Sequence, residues 1–427
     1  MTAEAPEFRW RSIALPALLP TLLFSTGQGA LVPLIPTLST DLGAGLAVAG
    51  LISAMLLVGE LVGDIPSGWL VSRVGERAAM MGAAVVAILG LLTTSAAPNP
   101  VILGAGIFLI GLGTAVFALA RHAFMTSFVP LSHRARALST LGGTFRLGLL
   151  LGPFISAGVI TLTGTSASAV WVNLSFCVGA LIVLAVLPDP ASTFGSVAAT
   201  RRGRSGSMSA RDESVEAIRA GERIVPDESM SLFATLRRFA PLLLRLGVGA
   251  AIISALRASR QVLLPLWAVS IGLDPTTTAI IIGSAGIVDF ALFYTGGQIM
   301  DRFGRLFTAV PSIVGLGVGH IGLALTHDLP GREVWFVVLA VALSLANGVG
   351  AGLLMTLGAD LAPPAHPAPF LGAWRFSTDA GAAMAPLVIS GVTALVSISA
   401  AAATLGTIGL LGAVILVRYL PRYSPRT

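Results

Sequence analysis

The chain alternates between long apolar runs and short polar breaks. A helix needs roughly 20 apolar residues to cross a hydrocarbon layer of ~30 Å, and the runs reach that length one after another. This pattern predicts twelve spans, the first six at about 12–36, 46–71, 78–97, 101–127, 136–163 and 168–187. The second six fall at about 240–271, 277–299, 306–326, 334–360, 368–394 and 398–418. A polar stretch, 188–239, separates the two sets. Its mixed charges and Ser/Gly content predict a solvated linker, with a short amphipathic helix at about 210–222.

The breaks repeat as well. SGWLVSRVGER at 67–77 returns as GGQIMDRFGR at 296–305, each copy after a long apolar run. A second echo pairs the stretch starting at His133 with the stretch starting at His366. At this offset Gly148 meets Gly381, Pro153 meets Pro386, Gly158 meets Gly391 and Arg146 meets Asp379. Span 5 thus corresponds to span 11, as span 2 corresponds to span 8. Two duplicated six-span units around a midplane site are the plan of alternating-access carriers. The expected division is an N-terminal bundle over 1–187, a linker over 188–239 and a C-terminal bundle over 240–427.

Composition narrows the class. Of 427 residues, 55% are hydrophobic and 11% charged, and the mean hydropathy is +0.89. A soluble protein of this length carries far more charge, so the chain reads as an all-α, polytopic membrane protein. Every basic residue other than histidine is an arginine. With both termini in the cytoplasm, twenty of the 26 arginines fall in cytoplasmic segments or at cytoplasmic span ends. That placement sets the expected orientation and accounts for the net charge of +6 without nucleic-acid binding. The start, with acidic residues before Arg9 and Arg11, reads as a cytoplasmic tail rather than a secretory signal. Cys177 is the single cysteine, so no intrachain disulfide forms. The histidines have no metal-ligand spacing, and a phosphate-binding loop would lack its lysine.

The motifs resemble those of the major facilitator superfamily. Its loop signature, G-x-x-x-D-R-x-G-R-[RK], is matched after span 8 by Gly297, Asp301, Arg302, Gly304 and Arg305. After span 2 it is matched by Gly68, Arg73, Gly75 and Arg77, with Ser72 in place of the aspartate and Glu76 in place of an arginine. Span 5 is similar to the glycine-rich signature of drug:proton antiporters: Gly148, Gly152 and Pro153 fit, whereas Ser139, Ser156 and Ala157 replace glycines. Gly111 and Gly113 of span 4 also fit, but Ile107 stands where an arginine is usual. The resemblance covers essentially the whole chain. It implies a twelve-helix carrier in two pseudo-symmetric bundles, an inner (bacterial) membrane location, a monomer without cofactor, and transport rather than catalysis. The implied activity is proton-coupled export of amphipathic or lipophilic small molecules, with multidrug efflux leading. A dedicated exporter of one metabolite, sugar or lipid is the alternative, and a membrane sensor is the alternative from another class.

Ionisable side chains far from span ends are costly in a bilayer and mark function. Glu60, Asp64, Arg146, Arg257, Arg260, Asp289, Arg375 and Asp379 qualify. Glu60 and Asp289 each lie about 18 Å along the helix from the end of their spans, by a rise of 1.5 Å per residue. On the superfamily's arrangement, span 5 meets span 8 and span 2 meets span 11. Arg146 is then expected to pair with Asp289, and Arg375 with Asp64 or Glu60. Each pair is either a static bridge or a switch that parts when the halves rock, freeing a carboxylate to take a proton. Glu60 and Asp289, then Asp379, are the expected proton carriers. Arg257 and Arg260 share a face of span 7; they either neutralise Asp289 and Asp379 or receive an anionic substrate group. Gln28, Gln261 and Asn347 are candidate substrate hydrogen-bonding groups. Trp267 and Trp335 read as interfacial belt residues.

Overall fold

The computed structural model describes residues 10–128, 131–187, 236–362 and 367–423. The expected linker up to residue 235 and its 210–222 helix lie outside the described residues. Among the described residues there is no strand, and twelve helices are long and apolar enough to cross a membrane. Spans 1–6 are Leu18–Asp41, Leu46–Val74, Glu76–Ser95, Pro100–Met125, Ala137–Thr163 and Ser168–Val186. Spans 7–12 are Ala240–Ser270, Pro275–Phe303, Leu306–Thr326, Arg332–Leu361, Phe370–Leu395 and Ile398–Arg422. All twelve expected spans are present, with ends displaced by a few residues.

Three spans are not continuous α-helix; span 7 is wound as a π-helix over Leu243–Gly247. Span 1 is helical to Leu31, tightens into a 3-10 turn over Val32–Leu34 and resumes as Ile35–Asp41. Pro33 and Pro36 remove two backbone donors there, which explains the local change of winding. Span 10 breaks between Arg332–Val349 and Leu353–Leu361, where Gly352 adopts φ +78. This break, absent from the expected span 334–360, leaves backbone carbonyls within the membrane region. Such carbonyls are tolerated where protein groups or a cavity satisfy them.

The packing repeats between halves. Span 1 lies against 5 and 6, span 4 against 2 and 3, and span 3 against 6. Span 7 likewise lies against 11 and 12, span 10 against 8 and 9, and span 9 against 12. Each half has its own buried apolar cluster, one running from Phe24 to Leu184 and the other from Leu243 to Leu420. Burial of this kind supplies packing rather than solvent release in a bilayer, so small residues matter. A Cβ on Gly152 would fall against Ala30 N, and one on Gly148 against Ser25 Oγ. Spans 1 and 5 therefore touch backbone to backbone. Trp267, expected at the membrane interface, is 1% exposed and packs edge-on against the His327 ring with centroids 4.7 Å apart. Its position near a span end suggested a belt residue, but that helix end is covered by span 9. Trp335 is 44% exposed.

The halves meet through spans 2 and 11, 5 and 8, and 1 and 7. Call the bundle end that carries the chain termini the near end. At the opposite, far end the seam is closed: Ser390 Oγ donates to Ala47 O at 2.7 Å, and Gly50 faces Leu266 and Ser390. Gly283 faces the Phe154 ring, and Gly286 faces Leu150. The ion pairs Arg375–Asp64 and Arg146–Asp289 cross the seam at mid-depth.

Candidate transport site

Two charged clusters occupy the middle of the molecule. The first is built on spans 2, 4 and 11. The long spans 2 and 11 place Asp64 and Arg375 face to face, with Arg375 Nη2 3.2 Å from Asp64 Oδ1. One turn along span 11, Asp379 Oδ2 lies 3.2 Å from Arg375 Nε. A single guanidinium is thus shared between a carboxylate of the other half and one of its own helix. Glu60, one turn from Asp64, accepts a long hydrogen bond from Gln28 Nε2 at 3.4 Å. Glu60, Asp64, Arg375, Asp379, Thr114 and Leu57 line a cavity of about 100 Å³, which has room for several waters.

The sequence reading missed one member. Arg121, in the near-end part of span 4, is 7% exposed, and its guanidinium lies 4.3 Å from the Phe145 ring centroid. Its Nε is buried without a partner, and Glu60 is a charged neighbour within electrostatic range. The signal was available: an arginine seven residues before the C-terminus of the helix Pro100–Phe128 is too deep for a loop residue.

The second cluster is built on spans 5, 7, 8 and 10. Asp289 pairs with Arg260 at 3.1 Å, and Asn347 Nδ2 donates to both carboxylate oxygens at 2.9 Å. Arg146, the expected partner, stands 4.0 Å away and lies over the Phe293 ring at 4.4 Å. Both expected partners are therefore present, and Asp289 is held more closely by its own half, because Arg260 one helix away reaches it without crossing the seam. Arg260 also donates to Ser344 Oγ at 2.7 Å. Arg257 donates to the Gly350 carbonyl, which the break in span 10 exposes. Arg257 therefore does not neutralise Asp379, whose partner is Arg375. Gln261, on the same helix, is exposed and has no hydrogen-bond partner among the described residues. Asn347 is 8% exposed, with Oδ1 unpartnered.

The repeated turns work through their last arginines. Gly75 and Gly304 sit at φ +83 and +89, a conformation that favours glycine and reverses the chain. The last arginine of each turn then reaches a neighbouring helix end. Arg77 Nε donates to Leu184 O at 2.7 Å, and its Nη2 donates to Leu187 O at 2.7 Å, capping span 6. Arg305 grips Asp360 at the end of span 10 with Nε–Oδ2 2.7 Å and Nη2–Oδ1 3.3 Å. The Asp360 carboxylate raises the pKa of Arg305 above its ordinary value. Asp301 is exposed and makes no hydrogen bond among the described residues, so the carboxylate is not the tie. Ser72 Oγ bonds back to Trp69 O at 2.8 Å. Arg73 and Arg302 stack over Trp69 and Phe303, at 4.8 and 5.3 Å. Gly68 and Gly297 flank these turns on the helix side. Pro153 lies within the continuous helix of span 5, beside Gly152.

No group of three potential metal ligands occurs among the described residues. Fully buried His320 is held by its own helix and by span 7, with Nδ1 2.7 Å from Leu316 O and Nε2 2.8 Å from Ser259 Oγ.

The fold has close counterparts. A POT family transporter in complex with a thioalcohol-conjugated peptide superposes with a TM-score of 0.72 at 12% identity, covering 97% of this chain and 96% of the other. The xylose transporter XylE from E. coli, partially occluded and inward open, superposes with a TM-score of 0.65 at 16% identity, covering 96% and 99%. Among curated relatives, an uncharacterized MFS-type transporter of Mycobacterium tuberculosis is 27% identical over 38% of this chain and 24% of its own length. The galactose-proton symporter of Escherichia coli is 24% identical over 49% and 45%. The 4-hydroxybenzoate transporter PcaK of Pseudomonas aeruginosa is 27% identical over 43% and 41%. The chain spans between 20% and 65% of the length of the curated relatives it matches. The description of the Major Facilitator Superfamily matches residues 17–368 and 246–427. Charged side chains gather at the seam of two six-helix bundles on a chain that the family description matches nearly end to end: this membrane protein belongs to the Major Facilitator Superfamily.

Proposed function

We propose that the protein is a proton-coupled secondary carrier, with the termini on the cytoplasmic side. The observation that carries this reading is Arg375, shared between Asp64 of one half and Asp379 of its own helix. An arginine holds its charge at every physiological pH, so the carboxylates are the groups that answer a proton gradient. When the seam between spans 2 and 11 opens, Arg375 keeps Asp379, which shares its helix, and Asp64 loses its cation. A carboxylate deprived of its cation in a region of low dielectric favours the protonated form. Closing the seam restores the pair and expels the proton. Asp64 thereby ranks ahead of Asp289, whose cation Arg260 moves with it. With the far end sealed, the structure corresponds on this reading to a carrier that faces the cytoplasm. The energy source is the proton gradient, and no cofactor is required.

Export by antiport is favoured by the fit of Gly148, Gly152 and Pro153 to the exporter signature, with amphipathic solutes as the class and multidrug efflux as the leading role. Symport is the second reading, favoured by the likeness to the galactose-proton symporter of Escherichia coli. Proteoliposomes loaded with pyranine separate the two. Ethidium and 4-hydroxybenzoate serve as test solutes, and the sign of the pH change reports whether protons move with or against the solute. Asp64→Asn is expected to lose at least about tenfold of gradient-driven transport while retaining solute exchange across equal pH. Undiminished gradient-driven transport by Asp64→Asn would remove Asp64 from the proton path.

A further inference from the structure

The two clusters carry opposite imbalances. Around Arg375 and Arg121 stand three carboxylates, Glu60, Asp64 and Asp379. Around Asp289 stand three guanidiniums, Arg146, Arg257 and Arg260. The second cluster therefore holds more positive charge than its one carboxylate neutralises, and arginines cannot shed it.

The excess has an address. Both oxygens of Asp289 are already engaged, by Asn347 and Arg260 at 2.9–3.1 Å. Arg260 is further occupied by Ser344, and Arg257 by the Gly350 carbonyl. Among the described residues Arg146 alone of the three makes no hydrogen bond, and its side chain is 29% exposed at the seam. Its guanidinium carbon lies over the Phe293 ring, 4.4 Å from the centroid, which favours holding the cation there. A planar fork with free donors beside uncompensated positive charge is suited to a carboxylate, bound bidentately.

We propose that the transported solute is an organic anion whose carboxylate docks on Arg146, in the cluster completed by Arg257, Arg260 and Asp289. This deepens, and rests on, the reading of the seam as the transport path. It separates two tasks: the acid-rich cluster handles protons and the arginine-rich cluster holds substrate. The amphipathic character expected of the solute is kept, with its polar end now assigned.

The test is binding to the purified full chain in detergent, read as the shift in melting temperature, with no pH gradient present. The probes are benzoate, 4-hydroxybenzoate and octanoate, each beside its primary amide, together with ethidium, chloride and phosphate. The acids are expected to raise the melting temperature and the amides to leave it unchanged. Arg146→Gln is expected to weaken acid binding at least about tenfold, with Arg146→Lys intermediate. Equal shifts from acids and amides, a response to ethidium alone, a response to chloride or phosphate without any organic acid, or no response at all would each overturn the assignment. Because the acid–amide contrast is read on the unaltered protein, a poorly folded variant does not obscure it. Acid binding by a protein that moves no protons would refute the coupling mechanism and leave the anion site standing.

Discussion

At the scale of residues, the decisive groups are few, and most were visible from their chemistry. An ionisable side chain deep in an apolar run is conspicuous, so Glu60, Asp64, Asp289, Arg375 and Asp379 could be found without coordinates. Their partners were legible as sets, Arg375 with Asp64 among them, but a helical register says which depth a residue occupies and not which neighbour lies nearer. Arg260 displaced Arg146 as the first partner of Asp289 for that reason. Arg121 escaped notice because it lies nearer to a span end than the others, although its guanidinium is inside. Glycine gives a sharper residue-level test. Because a Cβ on Gly152 would collide with Ala30 N, Gly152→Ala must push spans 1 and 5 apart. A loss of about 1–3 kcal/mol is expected, measured as a lower melting temperature; the same change at Gly158, which faces open space, is expected to cost little.

At the scale of elements, span count and approximate limits were legible because length and hydropathy alone decide them. The breaks in spans 1 and 10 were not, since Pro33, Pro36 and the glycines near 350 occur inside runs that remain apolar. The duplicated turn shows why one copy dispenses with its aspartate. Arg77 ties span 3 to backbone carbonyls of span 6, which are present whatever stands at position 72. Arg305→Ala is expected to cost about 0.2–1 kcal/mol, as exposed ion pairs do, with Asp360→Ala non-additive to it in a double-mutant cycle. Arg77→Ala is expected to cost more, because charge-assisted bonds to several carbonyls are lost. Span 8 starts on Asp274, which accepts from Thr277 N at 2.9 Å. Those Thr277 hydrogen bonds hold its carboxyl below the usual carboxylate range. The cap's contribution is therefore complete above the ordinary carboxylate pKa of about 4 and fades only in stronger acid. Asp274→Ala is expected to cost about 1 kcal/mol at neutral pH, and the difference from the unaltered protein should shrink in acid unfolding series.

At the scale of the whole molecule, the two halves meet at a seam that is sealed at its far end, and the proposed transport cycle requires a motion that opens it. Gly50 and Ser390 offer a direct handle on that motion: a Cβ on Gly50 would lie 3.6 Å from Ser390 Cβ, within the range for a disulfide. Gly50→Cys with Ser390→Cys is expected to crosslink under mild oxidation, stop transport, and recover on reduction. Buried Cys177 leaves the background clean. Transport that continues through the oxidised form would mean that the far end does not open.

The far seal is made of glycine, leucine, phenylalanine and one neutral hydrogen bond, whereas the mid-depth seam is crossed by ion pairs, with Arg375 half exposed. Dissolved electrolyte weakens attraction between wetted charges over a Debye length of about 8 Å at physiological strength and leaves apolar packing nearly untouched. On the proposed orientation, higher ionic strength on the near side alone is expected to loosen the mid-depth pairs while the far seal stays shut, so the resting state would answer to the salt on one face only.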